Sequence, residues 1–518
     1  MSPGPRTHTR AHTAGRVRWT AATALGLRLG LTLGLGLGLS GCAVGPDFQA
    51  PAAPATGQYL PQALSATPVA QGLSQRFDET ADLPTDWWRL FKSPELDALM
   101  QRALQRNPGL QAAQASLLRS QESLQAGYGV FFPQVSLGLD ARRQQTAPIQ
   151  QGLLSPGALF NVATLGLSVG YALDLFGQQR RNVEGLQAQA EQQHQLTRAA
   201  YLSLSANVVN TAIARAAYEA QWEATRDLVA LQQTQIQLTE VQVRAGTAAP
   251  ASLLALASPL ASNQAALAAL RQKVDQSEHL LSTLVGDEPA APALPAPRLA
   301  SLQLPQRLPL RLPSELVRRR PDILAAEAVA HQASAAVGVA TALMLPSVSL
   351  GATAGNAARS PGQLLGGSET YWSIGPSVSL PVFQGGSQWH GREAARANLD
   401  QALASYRQTV LSALAQVADT LSALGHDAQA LDSQERAWQA AADYLQQAQA
   451  STQAGLGSHL DVLAAQQQFQ QASIARLQAV AQRQQDTVAL LAALGGGWEP
   501  EPGKRATAPA TPPQQEAP

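Results

Sequence analysis

Two periods of hydrophobic and polar residues follow one another along this chain. Residues 133–143 and 162–175 place apolar side chains at every second position, and residues 346–356 and 371–383 do the same. A period of two predicts β-strands with one apolar and one polar face. The stretches after each pair of strands instead place apolar residues three, four or seven positions apart, which predicts long, packed helices.

The longest helical pattern runs from Gln178 to Val243, where the chain has no proline and only Gly185 as a glycine. Its apolar stripe consists of Tyr201, Leu204, Val208, Tyr218, Trp222, Val229, Ile236 and Val243. At 1.5 Å per residue this helix would be roughly 100 Å long, far longer than a globular domain requires. A second helix is expected to return at 251–285, with a kink at Pro259.

The chain also carries an internal repeat. Residues 106–113 return, with similar residue types, at 319–326, and residues 132–138 return at 345–351. Self-similarity at a fixed spacing indicates a duplicated unit. The predicted segments are a signal peptide (1–41), a lipidated, extended N-terminal segment (42–83), repeat 1 (84–286), a linker rich in proline and alanine (287–312), repeat 2 (313–498) and a disordered tail (499–518). Repeat 2 is expected to contain a matching helix pair at about 391–454 and 458–494.

The N-terminus has the features of an export signal. Several arginines precede an apolar run at 21–39, which ends in Leu39-Ser40-Gly41-Cys42. A basic start, an apolar stretch and small residues before a cleavage site are typical of secretory signals. The last four residues resemble the bacterial lipobox, which implies that Cys42 carries a diacylglycerol and an N-acyl chain. The alternative for this single cysteine is a free thiol behind an ordinary cleavage site.

Composition argues against several functional classes. The 36 Lys and Arg residues balance 36 Asp and Glu residues, so net charge gives no reason to expect a nucleic-acid partner. The eight histidines are scattered without metal-ligand spacing. No nucleophile elbow or phosphate-binding loop follows the signal. We therefore expect no enzyme, no metal site and no cofactor apart from the covalent lipid.

Four strands cannot form a pore by themselves, because open channels need many more. An unclosed sheet cannot lie in lipid either, since its edge N–H and C=O groups would lack partners. No other stretch of the mature chain approaches the roughly 20 apolar residues of a membrane-spanning helix. The strands of several chains are therefore expected to join in one barrel, with the helices continuing below it as a tube. The predicted class is an α+β membrane protein.

An ordered set of motifs resembles the TolC-like outer-membrane factors, specifically the lipoprotein (NodT-type) subgroup of resistance-nodulation-division efflux systems. The motifs are Cys42 with Gly45-Pro46-Asp47, then Trp87-Trp88, Phe91, Pro94, Leu96, Leu99, Ala103-Leu104, Asn107-Pro108, Leu175-Phe176-Gly177, Pro381-Val382-Phe383 and Gly385-Gly386. The resemblance implies a homotrimer in the bacterial outer membrane, with a β-barrel of four strands per chain continuous with a periplasmic α-helical barrel. It also implies a periplasmic adaptor (membrane fusion) protein and an inner-membrane pump as partners.

The same resemblance implies functional positions. Two glycine-centred turns, Ala245-Gly246-Thr247 and Ala454-Gly455-Leu456, match the tips where adaptors dock. Asp461 matches an acidic position that lines the closed periplasmic aperture. The alternative for Asp461 is an aspartate that stabilises a helix N-terminus. The chain departs from some members at Ala464, where they carry a second acid, and it has Ser252 at the equivalent place in repeat 1.

The implied function is the passive exit of small molecules, such as drugs, toxic compounds or metals, from the periplasm to the exterior. Two alternatives stay open at this point. One is an exit duct for proteins in type I secretion, and the other is a structural coiled-coil lipoprotein of the periplasm without a channel. A scaffold of the second kind would show no conductance in planar bilayers.

Overall fold

The computed structural model of the chain describes residues 43–62, 64–145, 157–292, 295–366 and 369–496. The predicted signal peptide, Cys42 and the predicted tail at 499–518 lie outside the described residues. In chain order the described strands and α-helices are β1 (Arg76–Asp78), α1 (Pro94–Arg106), α2 (Pro108–Tyr128), β2 (Gln134–Gln145), β3 (Leu159–Leu173), α3 (Gln178–Arg244), α4 (Ala251–Leu284), β4 (Arg307–Pro309), α5 (Pro313–Leu316), α6 (Pro321–Ala342), β5 (Ser347–Ala358), β6 (Glu369–Ser379), α7 (Ser387–Gln453) and α8 (His459–Ala493).

The order of elements recurs along the chain. The series α2, β2, β3, α3, α4 is followed by the series α6, β5, β6, α7, α8. The two longest helices, α3 and α7, have 67 residues each, and each extends about 100 Å at the rise of an α-helix. The strands lie where the alternating patterns predicted them, and the molecule is mostly helical.

Strands β2, β3, β5 and β6 form one antiparallel sheet, in that order. Hydrophobic side chains occupy one face, because every second residue of each strand points the same way and the register aligns these positions. The exposed large apolar residues of this face include Val135, Leu137, Leu139, Trp372, Ile374 and Val378. Glycine, serine and threonine dominate the opposite face, which also carries Asp140, Arg142 and Glu369. Within the described chain, β2 and β6 are edge strands that pair on one side only.

The long helices share a hydrophobic core, which forms around the short segment before α1. Trp87 and Phe91 lie in a 3-10 turn and are fully buried. They belong to one cluster with apolar residues of the long helices, among them Val208, Ile213, Leu421, Leu424, Leu490 and Leu491. Burial of a side chain as large as Phe91 stabilises a fold by about 2–3 kcal/mol. The aromatic residues of this segment therefore pack the middle of α3 and α7 against the C-terminal end of α8.

The N-terminal segment and the linker form more structure than their composition predicted. Strand β1 lies in the first and β4 in the second, and the two pair in parallel. Arg483 of α8, which is fully buried, donates from Nε to Gln75 Oε1 at 3.1 Å and from Nη2 to Thr67 Oγ1 at 3.2 Å. The residues predicted to be extended or to act as a linker are thus packed against the helices through buried polar contacts.

The start of each predicted repeat is joined by a hydrogen bond to the end of its helical hairpin. In repeat 1, Asn107 Nδ2 donates to the carbonyl of Leu284 at 2.9 Å. In repeat 2, Arg320 Nη1 donates to the carbonyl of Ala493 at 2.9 Å. Both accepting carbonyls lie at the C-terminal end of a helix, where intrahelical partners are missing. Different side chains therefore satisfy the same backbone requirement at corresponding places.

We expected no further stretch apolar enough to span a membrane, but two helices meet that criterion. By length and composition alone, α4 and α6 are long and apolar enough to cross a membrane. Half of the apolar window of α6 is buried inside the protein, where Ala330 and Ala333 pack against Ala402 of α7. Helices that pack against protein pass the same test, so the criterion does not make α6 a membrane span, whereas none of the apolar window of α4 is buried inside the single chain. Helix α4 runs without interruption through Pro259.

Candidate functional site

The first candidate site is the polar face of the sheet. The register aligns Ser136, Ser168, Thr353 and Ser373 in one row across the four strands. The hydroxyls of Ser136 and Ser168 are 2.7 Å apart, as are those of Thr353 and Ser373, so each pair shares a hydrogen bond. A second row consists of Gly170, Gly351 and Gly375 with Gln134. Such a face presents hydroxyls and bare backbone, which water can solvate.

The second candidate site is the turn between α3 and α4. Gly246 has a φ of +72°, which residues with a side chain rarely adopt. The Thr247 N–H donates to the carbonyl of Gln242 at 2.9 Å, and the Gly246 N–H donates to the carbonyl of Val243 at 3.1 Å. This pair of hydrogen bonds is a Schellman motif, which ends a helix and redirects the chain. The glycine is required by backbone conformation, since no atom would obstruct a Cβ.

The turn between α7 and α8 repeats this construction. Gly455 has a φ of +76°, and its N–H donates to the carbonyl of Thr452 at 3.0 Å. The Leu456 N–H donates to the carbonyl of Ser451 at 2.9 Å. Leu456 follows directly and is 86% exposed, so the turn presents a large apolar side chain to solvent. The sequence resemblance named both turns, and in both the glycine ends a long helix.

Asp461 lies in the first turn of α8 and completes a capping box with Ser458. The Asp461 N–H donates to Ser458 Oγ at 3.1 Å, and the Ser458 N–H donates to Asp461 Oδ2 at 2.9 Å. These hydrogen bonds, first from the backbone and then from the hydroxyl of Ser458, lower the pKa of the exposed Asp461 carboxyl. The carboxylate is therefore ionised at neutral pH. In the single chain, the hydrogen bonds of the Asp461 carboxylate are those expected of a residue that caps the helix N-terminus.

The two tips differ in this respect. Helix α4 starts after Pro250, whose side chain provides no cap hydrogen bond. Ser252 and Ala464 are both exposed, and neither is an acid. Asp461 is thus the acid that the resemblance predicted at this end of the helices, and only the second tip has it.

Sequence analysis did not single out a charged cluster between α7 and α8, in which Arg483 is buried and Asp427 and Asp486 are half-buried. Burial, a hydrogen bond with Asp486 and repulsion by its charge raise the pKa of Asp427 to about 7, against an opposing effect of Arg483. Burial also lowers the pKa of Arg483. Asp427 and Asp486 are far apart in sequence on different helices, so no spacing could have linked them.

Cys42, the predicted lipid site, lies outside the described residues, but the position of the next residue, Ala43, is known. Ala43, the first described residue after Cys42, lies against Gly177, where a Cβ would come within 2.6 Å of the Ala43 Cα. The Val44 N–H donates to the carbonyl of Phe176 at 3.0 Å, and the Val44 carbonyl accepts from Arg181 Nε at 3.3 Å. The start of the described chain is therefore fixed just after the end of β3.

Comparison with known proteins now identifies this architecture. The family model described as outer membrane efflux protein matches residues 99–287 and 312–496. The chain belongs to the outer membrane efflux protein family. It is similar to two proteins of Pseudomonas putida, the antibiotic efflux pump outer membrane protein ArpC and the toluene efflux pump outer membrane protein TtgC. It is 29% identical to each over 467 residues, which cover 90% of this chain and 95% of each relative.

A solved structure, that of the outer-membrane channel OprN, agrees with this assignment. It superposes with a TM-score of 0.77 at 30% identity and covers 89% of this chain and 100% of that chain. This outer membrane efflux protein is thus an outer-membrane component of an efflux system. Its family consists of channels and not of enzymes. The resemblance to TolC-like factors drawn from the motifs is confirmed.

The turn geometry of this efflux protein leads to a prediction for the second tip. Gly455→Ala would force a residue with a side chain into a left-handed conformation, at a cost of about 1–2 kcal/mol. We expect the hydrogen bonds of residues 447–458 to open more readily, with amide exchange about five- to thirtyfold faster by hydrogen–deuterium exchange. Gly391→Ala, within α7 where a Cβ meets nothing, is the control and should leave this exchange unchanged. Equal tip exchange in Gly455→Ala and the parent would contradict the prediction.

Proposed function

We propose that three copies of this efflux protein form one closed conduit through the outer membrane and into the periplasm, through which small molecules leave the cell. The observation that carries the proposal is the four-stranded sheet of the described chain, with one apolar face, one polar face and two unpaired edges. Unpaired edges are excluded from hydrocarbon, so the edges of one copy need those of another. Three copies supply twelve strands, which suffice for an open barrel.

The two faces of the sheet assign the inside and the outside of this barrel. The apolar face, which carries exposed residues such as Leu137 and Trp372, fits acyl chains. The face with the serine, threonine and glycine rows fits a water-filled bore. Helices α3, α4, α7 and α8 of three copies would continue as a tube of twelve helices. The largely exposed α4 would then be covered by a neighbouring copy.

The nature of the cargo follows from the relatives by analogy. ArpC is named for antibiotic efflux and TtgC for toluene efflux, so similar channels serve solutes of unlike chemistry. The rows of hydroxyls and glycines described above carry no charge, and Asp140 and Arg142 further along the same face of β2 pair with each other at 2.6 Å. We propose small organic molecules as the cargo, with selection made by a partner pump of the resistance-nodulation-division type in the inner membrane. A periplasmic adaptor would dock at the turns around Gly246 and Gly455.

The exposed Leu456 allows channel activity to be separated from docking. We expect Leu456→Glu to conduct like the parent in planar bilayers, because the bore is unchanged, but to fail in restoring tolerance to antibiotics and toluene in cells that lack their own outer-membrane component. Leu365→Glu is a matched control, since Leu365 in the β5–β6 connection is 89% exposed against 86% for Leu456. It should retain both properties.

Two results would count against this proposal separately. No conductance by the parent protein would contradict the channel itself and favour a scaffold. Full tolerance conferred by Leu456→Glu would contradict docking at this turn.

The lipid anchor is a further part of the proposal. Ala43 and Val44 are fixed beside Phe176 and Gly177, just after a strand that we place in the membrane. Acyl chains on the preceding Cys42 would therefore start close to the membrane boundary. Several chains on one residue give stable anchoring, whereas one gives only marginal binding.

We expect Cys42→Ser to abolish lipid attachment and the associated cleavage. Metabolic labelling with a radioactive fatty acid measures this directly, and Cys42 is the only cysteine of the chain, so no second thiol can take the label. Assembly should be weakened without being lost, because the barrel provides its own hold on the membrane. Label retained in the Cys42→Ser protein would exclude the lipobox interpretation.

The ionised Asp461 is proposed to form a ring of three carboxylates at the closed periplasmic end. Carboxylates held close together attract cations between them. Asp461→Asn should therefore weaken the block of single-channel conductance by divalent or trivalent cations added on the periplasmic side. Ser458→Ala is the informative control, since it removes the capping box but keeps the carboxylate, and it should retain the block. If Asp461→Asn leaves the block unchanged, Asp461 serves the helix cap alone.

A further inference from the structure

Tyr371 is the one large side chain in a row of glycines on the polar face of the sheet. The register aligns it with Gly355 on β5, Gly166 on β3 and Gly138 on β2. All four positions share one face, because aligned residues of antiparallel strands point the same way. Tyr371 stands on the edge strand β6 and is partly exposed. The three glycines beside it leave a strip of wall without side chains.

The Tyr371 side chain extends across these glycines, parallel to the sheet surface. A Cβ built on Gly166 would come within 2.7 Å of the Tyr371 hydroxyl, and a Cβ on Gly355 within 2.8 Å of the same oxygen. Contacts under 3.0 Å are essentially never seen for a real Cβ. The ring therefore crosses β5, and its hydroxyl reaches the backbone of β3. Only glycine at Gly166 leaves room for the hydroxyl in this position.

The neighbouring glycine row shows that this contact is specific. Gly170, Gly351 and Gly375 also form an aligned row on the polar face, but a Cβ on any of them would meet nothing within 4 Å. Beside Tyr371, in contrast, lies a recess of about 300 Å³, whose lining includes Ser136, Asp140, Thr164, Ser168 and Thr353. An aromatic side chain that covers cross-strand glycines packs against bare backbone and stabilises the sheet there.

We propose that Tyr371 sets the width of the barrel bore, and that Gly166 and Gly355 form a seat that keeps its ring flat against the wall. This inference rests on the proposed function, in which the polar face encloses the bore. With the seat intact, three tyrosines lie along the wall and leave the bore open to bulky solutes. With the seat filled, the ring must turn off the wall and project inward from each of the three copies.

The seat can be filled with little other disturbance at Gly166. Apart from the Tyr371 hydroxyl, the nearest atoms to a Cβ there are the Tyr371 Cζ at 3.8 Å and the Ala354 carbonyl at 4.0 Å, both ordinary contacts. Gly355 is less suitable, because a Cβ there would also meet the Leu165 carbonyl at 2.4 Å. Gly170→Ala is the matched control, since it lies on the same strand and face with open space around it.

The measurement is polymer exclusion from the outer side of the channel in planar bilayers. Polyethylene glycols of graded size are added to the extracellular side only, and the largest size that still alters the conductance is recorded. Polymers entering from this side probe the barrel before the periplasmic end. We expect the size limit to shift to smaller polymers in Gly166→Ala and to stay at the parent value in Gly170→Ala.

A second substitution identifies the tyrosine as the cause. Gly166→Ala combined with Tyr371→Phe removes the one oxygen that obstructs the new methyl group, so the ring can lie flat again and the parent size limit should return. An unchanged limit in Gly166→Ala would overturn the inference, as would a reduced limit that Tyr371→Phe does not restore. Absence of any conductance in the parent would overturn the proposed function as well, and this outcome is distinct from the other two.

Discussion

The unpaired backbone of the sheet edges is the constraint on which the rest of this structure depends. A strand in hydrocarbon must have all its N–H and C=O groups bonded within the protein, and the described part of one chain supplies four strands to this sheet. The proposed consequence is an assembly in which several copies share one pore and no copy has a pore of its own. The recurring order of elements suits such an assembly, since each half of the described chain contributes two strands to the sheet and one pair of long helices.

The polar side of the molecule follows from the same constraint. In the proposed barrel, the rows of serine, threonine and glycine line the bore with groups that water and solutes of different chemistry can contact. Uncharged rows such as those at Ser168 and Gly351 suit a duct that does not choose its cargo. In the proposed function selectivity belongs to partners, and the turns around Gly246 and Gly455, both with positive φ at the glycine, are the proposed docking places.

Much of the fold could be predicted from the sequence because it depends on periodic patterns. Alternation over residues 133–143 predicted β2, and the long apolar stripe predicted α3, since both are local consequences of which face is buried. The pairing of β1 with β4 could not be predicted, because each strand has only three residues and its partner lies far away in sequence. The sequence left two roles open for Asp461, a helix cap and a lining of the periplasmic aperture. A carboxylate at the start of a helix suits both, and the capping box became visible only in the structure.

The central claim is that the sheet is complete only in an assembly of three copies. Native mass spectrometry of the protein, gently extracted from the outer membrane and kept in mild detergent, tests this claim most directly. The account predicts a single dominant species of three chains, with the lipid mass added to each. A stable monomer under these conditions would contradict the account, because its sheet edges would have to be satisfied in the membrane without a neighbour.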